Sequence, residues 1–349
     1  MHEMIDDAPS FSRILGQEKA VRFLKGVLSR QRIPHGYLFL GMPGVGKTDT
    51  AIAMAQALNC LAPSEGEGCG LCKPCRGIEE RSFHDLVFLE PENQVIKIEK
   101  IRELERVLAF KPQFGRYRVT VIREAEKMTL EAANAFLKTL EEPPPGNVLV
   151  LEATDLSQLM PTIVSRCQKV RFQPVPVPLV ASWLVEKKGV EPKKASLLAK
   201  LSEGSIARAV QMLEEEYEGK RDECISRLMG LSGLSDNEVL QLALELKGKA
   251  KGEQVPIELL FSIWKTWLRD LLLLKSGGSE RLLVHGDHLV QLKSGWNAYT
   301  INSLLESLRL LDQAERDMAR FRNMELLLEN LLLALKGLGR VDRSKAVGG

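Results

Sequence analysis

Apolar positions along this chain fall into short continuous runs separated by longer stretches of helical spacing. Tyr37–Leu40, Asp85–Glu90, Arg118–Ile122, Asn147–Glu152 and Val170–Phe172 read as strands. Between them, Gln17–Leu28 places Ala20, Val21, Leu24, Val27 and Leu28 on one helical face. Asp49–Leu58 is helix-like, and Ile98–Leu108 carries a stripe of Ile101, Leu104 and Leu108. Thr129–Leu140 has Leu130, Ala133, Leu137 and Leu140, and Pro143-Pro-Pro145 stops it. Strands alternating with helices predict an α/β fold, a mostly parallel sheet covered on both faces.

Gln173-Pro-Val-Pro-Val-Pro178 breaks that rhythm and marks a boundary. Beyond it the pattern is helical only. Three short helices are expected at Val180–Lys187, Pro192–Leu201 and Ser205–Glu216. Longer ones are expected at Val239–Leu246, Ile257–Leu274, Ile301–Arg320 and Glu325–Leu335. The expected division is a sheet domain over 1–173, a small helical domain over 174–219 and an all-α domain over 220–338. Residues 339–349, charged and glycine-rich, are expected to fray. No internal repeat is present.

A length of 349 residues exceeds one compact core and fits two or three domains. With 44% hydrophobic and 27% charged residues the composition is that of an ordinary soluble protein, and a net charge of +2 gives no strong electrostatic drive toward nucleic acid or membrane. Lys97, Lys100 and Arg102 read either as a solvated helix face or as a place of direct DNA contact, which the sequence leaves open. The start, Met1–Asp7, is acidic and has no signal-peptide apolar core. Leu271–Leu274 and Leu326–Leu335 are too short or interrupted to span a bilayer. Of the six cysteines four are clustered, which suggests metal rather than disulfides and a reducing cytoplasm.

The first strand runs into Gly41-Met-Pro-Gly44-Val45-Gly46-Lys47-Thr48, and a helix follows. Strand, glycine-rich loop, Lys-Thr and helix make a P-loop. Its backbone N–H groups and the helix N-terminus cradle phosphate, Lys47 neutralises the β and γ phosphates, and Thr48 is placed for Mg²⁺. The loop can therefore take ATP or ADP.

Cys60-x8-Cys69-x2-Cys72-x2-Cys75 follows in a Gly- and Pro-rich segment. Four thiolates at that spacing can close a tetrahedral shell around Zn²⁺, leaving no open position, so the site reads as structural. Cys167 and Cys224 stand apart and read as ordinary buried cysteines.

A hydrolytic P-loop needs an apolar strand ending in Asp-Glu, the Asp for Mg²⁺ and the Glu for the attacking water. Here Val119-Thr-Val-Ile122 ends in Arg123-Glu124. A guanidinium beside Mg²⁺ is repulsive by several kcal/mol and removes an oxygen ligand. Either hydrolysis is lost, or Arg123 swings out and Thr48 with the phosphates holds a weakened Mg²⁺. Further on, Ser165-Arg166-Cys167 offers an Arg that on composition alone is a surface residue.

Gly41–Thr48, the four-cysteine insertion, the run Asn134-Ala-Phe-Leu-Lys-Thr-Leu-Glu-Glu-Pro-Pro144 and Pro161-Thr-Ile-Val-Ser-Arg-Cys167 together resemble the bacterial clamp-loader AAA+ subunits of DNA polymerase III. The likeness runs from about Phe11 to Gln211, and the helical remainder is similar to the family's collar domain. It implies an AAA+ P-loop sheet domain with a zinc module, a three-helix lid and an all-α collar. It also implies a hetero-pentamer with gamma/tau and delta subunits that loads a sliding clamp onto primed DNA. By the same resemblance Arg166 is an arginine finger acting in trans, Thr154 a sensor and Arg208 a displaced lid arginine, since Ala207 holds the usual place in Gly204-Ser-Ile-Ala207. Arg123, Arg208 and a length below that of the long-tailed tau form are expectations for a stator type of subunit. That type lends its Arg166 to a neighbour and hydrolyses little itself. The rival is an active motor of gamma/tau type using Lys47, Thr48 and Glu124, and an unrelated P-loop kinase is a weaker third.

Overall fold

The computed structural model describes residues 10–214, 217–247, 255–318 and 323–339. The acidic start, nearly all of the 339–349 tail, and the ends of the helices expected to reach Glu216 and Arg320 lie outside these residues. The chain forms two compact units: Met1–Pro192 with Ser202–Arg208, and Lys193–Leu201 with Ala209–Gly349.

The first unit is built on five strands: β1 Gly36–Leu40, β2 Leu86–Leu89, β3 Arg118–Ile122, β4 Asn147–Ala153 and β5 Gln168–Arg171. Their order across the sheet is β2-β3-β4-β1-β5, and every pairing is parallel. Parallel neighbours need crossovers, and helices supply them. These are α2 Lys47–Asn59, α3 Lys73–Glu79, α4 Ile98–Leu108, α5 Leu130–Glu141 and α6 Pro161–Arg166, with α1 Glu18–Ser29 preceding the sheet and α7 Val177–Lys188 following it.

Alternation along the strands sends Tyr37, Phe39, Val119, Val121, Val148 and Val150 to one face, where α1 and α2 cover them. Leu38, Leu40, Ile122, Leu149 and Leu151 go to the other, against α4, α5 and α6. A sheet buried on both faces explains why the strands read as unbroken apolar runs. Residues Ala51, Ala53, Ala55 and Ala57 let α2 lie close against its neighbours. Thr129 caps α5, its side chain accepting the Ala132 N–H.

Two elements depart from the sequence pattern. The cysteine segment, read as turns, contains α3, with a proline in its first turn. The fifth strand starts earlier than expected, because pairing of Tyr37 with Gln168 sets its register, and Phe172 falls beyond the strand although its N–H still donates to Leu40 O.

The second unit is helical: α8 Pro192–Leu201, most of α9 Ile206–Glu214, α10 Tyr217–Gly230, α11 Asp236–Lys247, α12 Ile257–Lys275, α13 Leu289–Gly295, α14 Ile301–Met318 and α15 Met324–Leu338. α12 is apolar around most of its circumference and forms the centre, with Phe261, Trp264, Trp267 and Leu268 fully buried. The Trp264 indole N–H donates to Cys224 O at 2.8 Å. Among the described residues no helix is long and apolar enough to cross a membrane.

Candidate functional site

The P-loop occupies the turn from the C-terminal end of β1 into α2. Gly44 and Gly46 take positive φ, +76° and +94°, which side chains resist. A Cβ on Gly44 would overlap Ser205 Oγ and lie 2.7 Å from Ala207 Cβ. The lid segment thus rests on the loop, and the Ile206 N–H donates to Gly44 O at 2.9 Å. Val45 is buried beneath the turn.

Lys47 is buried and donates to the carbonyls of Gly41 and Met42. Burial pulls its pKa down, against the opposing pull of Glu152 and Glu126. Thr48 Oγ1 donates to Glu152 Oε2 at 3.0 Å. Glu152, on β4, is 5% exposed, and its other oxygen has no hydrogen-bond partner. Burial raises its pKa to about 7, while the Thr48 hydroxyl and Lys47 pull the other way. Gln17 is likewise buried and donates to Val45 O at 3.2 Å and to Gln173 O at 2.7 Å.

The other residues singled out by sequence lie around this centre without all meeting it. Arg123 pairs with Glu90 at 2.6 Å. Glu124, exposed and at a positive φ of 49°, pairs with Lys127 at 2.5 Å. The N–H of Thr154, just past β4, donates to Glu126 Oε1 at 3.1 Å. Arg208 pairs with Glu203 at 3.3 Å, and its N–H donates to Ser205 Oγ, a cap at the start of α9. Arg166 ends α6, paired with Glu141 and bonded to Thr162 O at 2.9 Å.

Arg166 stands at the opposite end of the strands from the P-loop, at the N-terminal end of β1. Its carbonyl is 3.5 Å from where a Cβ on Gly36 would lie, at the start of β1. At about 3.3 Å per residue, β1 separates that point from Gly41 by about 16 Å.

Cys60, Cys69, Cys72 and Cys75 converge, their sulfurs all within 4.8 Å of one another. A tetrahedral Zn²⁺ with 2.3 Å bonds needs sulfurs about 3.8 Å apart, and Cys60 and Cys72 are at 3.9 Å. The N–H groups of Ala62 and Cys69 point at Cys60 Sγ, and that of Cys72 at Cys69 Sγ. Backbone N–H groups of Leu71 and Cys72 hold the Cys69 thiol down at about 6, whereas burial raises that of Cys75. Four sulfurs with N–H support fit a closed structural zinc site, and these residues would hold the ion.

Sequence reasoning missed Gln17, Glu126 and Glu152. For Glu152 a signal existed, an acid inside the apolar run Val148-Leu-Val-Leu-Glu-Ala153. Gln17 gave none, because its partners come from distant segments.

A parallel sheet in the order β2-β3-β4-β1-β5, with a P-loop after β1, defines an AAA+ domain. Residues 16–176 match the family model described as DNA polymerase III, delta subunit, and residues 219–337 the model described as DNA polymerase III, delta subunit, C terminal. The chain belongs to this family of DNA polymerase III subunits. DNA polymerase III subunit tau of Escherichia coli (strain K12) is 34% identical over 255 residues, which span 70% of this chain and 39% of that one. The chain thus spans about two fifths of the length of such tau relatives. The subunit delta' of Bacillus subtilis (strain 168) is 27% identical over 324 residues, 92% of this chain and 96% of that one. A solved gamma subunit-related protein of Thermotoga maritima is 21% identical with a TM-score of 0.42, covering 91% of this chain and 99% of that chain.

Proposed function

We propose that this chain is the delta-prime, or stator, subunit of the clamp loader, working in a hetero-pentamer with gamma/tau and delta subunits to load the sliding clamp onto primed DNA. In this reading 1–173 is the AAA+ domain, 174–219 the lid and 220–338 the collar that joins subunits. Arg166 serves as an arginine finger for a neighbour's ATP, while this chain's own P-loop holds nucleotide with little turnover. The protein would work in the cytoplasm.

The observation that carries the reading is the place of Arg166. It lies one strand length from the chain's own phosphate loop and partly exposed, so it is available to another subunit rather than to Lys47. Arg123 in the acid's place and the near full-length likeness to a delta' subunit support the same view. The higher identity to tau favours a second reading, an active motor.

Arg166→Ala tests the first. The variant loses one half-exposed ion pair, worth no more than about 1 kcal/mol, and should fold and assemble normally. ATP turnover at the site it faces should fall about a thousandfold, seen as a partial loss of the complex's DNA-stimulated ATPase. Unchanged turnover would overturn the finger assignment. Robust ATP hydrolysis by the isolated chain, abolished by Lys47→Ala, would favour the motor.

A further inference from the structure

The acid missing from the end of β3 is present one strand away. Ile122 pairs with Leu151 as the last pair of the β3–β4 ladder, so Arg123, just past β3, and Glu152, on β4, are the next residues along. Both follow the alternation of Val121 and Val150 toward the α2 face, where Thr48 begins the helix. Arg123 pairs with Glu90 at 2.6 Å, and its charge still acts on Glu152. Glu152 points inward, 5% exposed, with Oε2 on Thr48 Oγ1 at 3.0 Å and Oε1 buried without any partner.

A buried carboxylate oxygen with no donor is costly unless something else meets it. Its neighbour is the one hydroxyl that a P-loop directs at a divalent cation. Mg²⁺ keeps several waters and takes only one or two protein carboxylates beside phosphate oxygens, so a single acid beside Thr48 is enough.

We propose that Glu152 replaces the missing strand-end acid, so that the P-loop binds a divalent cation together with nucleotide phosphates, Thr48 and Glu152 supplying the protein oxygens directly or through water. The proposal rests on the reading that Gly41–Thr48 holds nucleotide. It separates cation binding from hydrolysis. Glu124 is exposed and paired with Lys127, and Ala207 occupies the lid position next to Gly44. The site keeps the cation and lacks the groups that would drive water onto the γ-phosphate.

The rival is that Glu152 merely accepts a hydrogen bond from Thr48. Glu152→Gln separates the two, because the amide oxygen can still accept from Thr48 while the charge is gone. Affinity of the full chain for a fluorescent ADP analogue would be measured with Mg²⁺ and with EDTA, and Mn²⁺ bound in the presence of ADP would be followed by electron paramagnetic resonance. In the wild type Mg²⁺ should tighten nucleotide binding, and replacing Glu152 should weaken the affinity for the cation by about ten- to a hundredfold. Glu152→Gln should lose most of that gain and the bound Mn²⁺ signal, while its affinity in EDTA should not fall, because the lost carboxylate repels the phosphates. Retention of the full Mg²⁺ gain by Glu152→Gln overturns the proposal. So does a wild type that binds nucleotide equally well in EDTA, or not at all. None of these results touches the Arg166 assignment, which stands or falls on turnover in the assembled complex.

Discussion

The side-chain amide of Gln17 closes a pair of hydrogen bonds with the backbone of Gln173. Its Nε2 donates to Gln173 O at 2.7 Å, and its Oε1 accepts the Gln173 N–H at 2.9 Å. The same Nε2 reaches Val45 O in the P-loop. One buried glutamine thus ties the phosphate loop to the segment where the chain leaves the sheet. Gln17→Ala strands a buried donor and two carbonyls, and should lower the stability of the first unit by about 1–3 kcal/mol. The denaturant midpoint measures this, and a shift within error would show that water replaces the amide without loss.

Asp85 anchors the loop before β3. It is 1% exposed, accepts the N–H groups of Gln113, Phe114 and Gly115, and pairs with the buried Arg118 at 3.2 Å. Burial raises its pKa, but the three N–H groups and Arg118 more than offset that and hold it below the usual carboxylate value. Asp85→Ala leaves Arg118 as an uncompensated buried charge and should destabilise by about 3–5 kcal/mol. Thermal unfolding checks the size, and a loss under about 1 kcal/mol would mean that Arg118 is satisfied by the carbonyls of Val107, Phe110 and Lys111.

The four-cysteine site predicts a stoichiometry. Metal analysis should return about one zinc per chain. A thiol reagent applied to the native protein should label essentially none of Cys60, Cys69, Cys72 and Cys75, and all four after a strong chelator. Cys167 and Cys224 are buried and should stay protected in both cases. Full labelling without chelator would exclude a closed zinc shell.

His285 gives the second unit a dependence on pH. It is fully buried beside Thr266, whose hydroxyl lies 2.9 Å from its Nε2, and its backbone N–H donates to Asp270. Burial first, then the charges of Arg221 and His288, push its pKa down from 6.5 to about 3, with Asp287 opposing them. The folded imidazole stays neutral where the unfolded one takes a proton. Stability is therefore fully present above pH 6.5 and falls below it, by up to about 1.4 kcal/mol per pH unit until about pH 3. Urea unfolding at pH 7.5 and pH 5 should show this slope in the wild type, and His285→Asn, though weaker at both, should flatten it. Equal slopes would place the titration elsewhere.

The P-loop and the cysteine cluster were legible because each is nearly contiguous, so residue type and spacing point to its chemistry, whereas Ser165-Arg166-Cys167 acquired a reading only through the family resemblance. The sheet was legible too, since burial on both faces leaves unbroken apolar runs such as Val148–Leu151. The α3 helix was not, because glycines and a proline mask a helix that starts at the last two cysteines. Nor was the pairing of Thr48 with Glu152, which are 104 residues apart.

The sequence by itself determined most of the elements, the phosphate loop, the four-cysteine cluster and the presence of Arg123 at the end of β3, because those depend on local residue type and order. Only the tertiary structure decided which acid faces Thr48, which residue locks the loop to the sheet exit, and at which end of the strands Arg166 stands. Those follow from strand register, where a shift of one residue would turn Glu152 to the opposite face of the sheet.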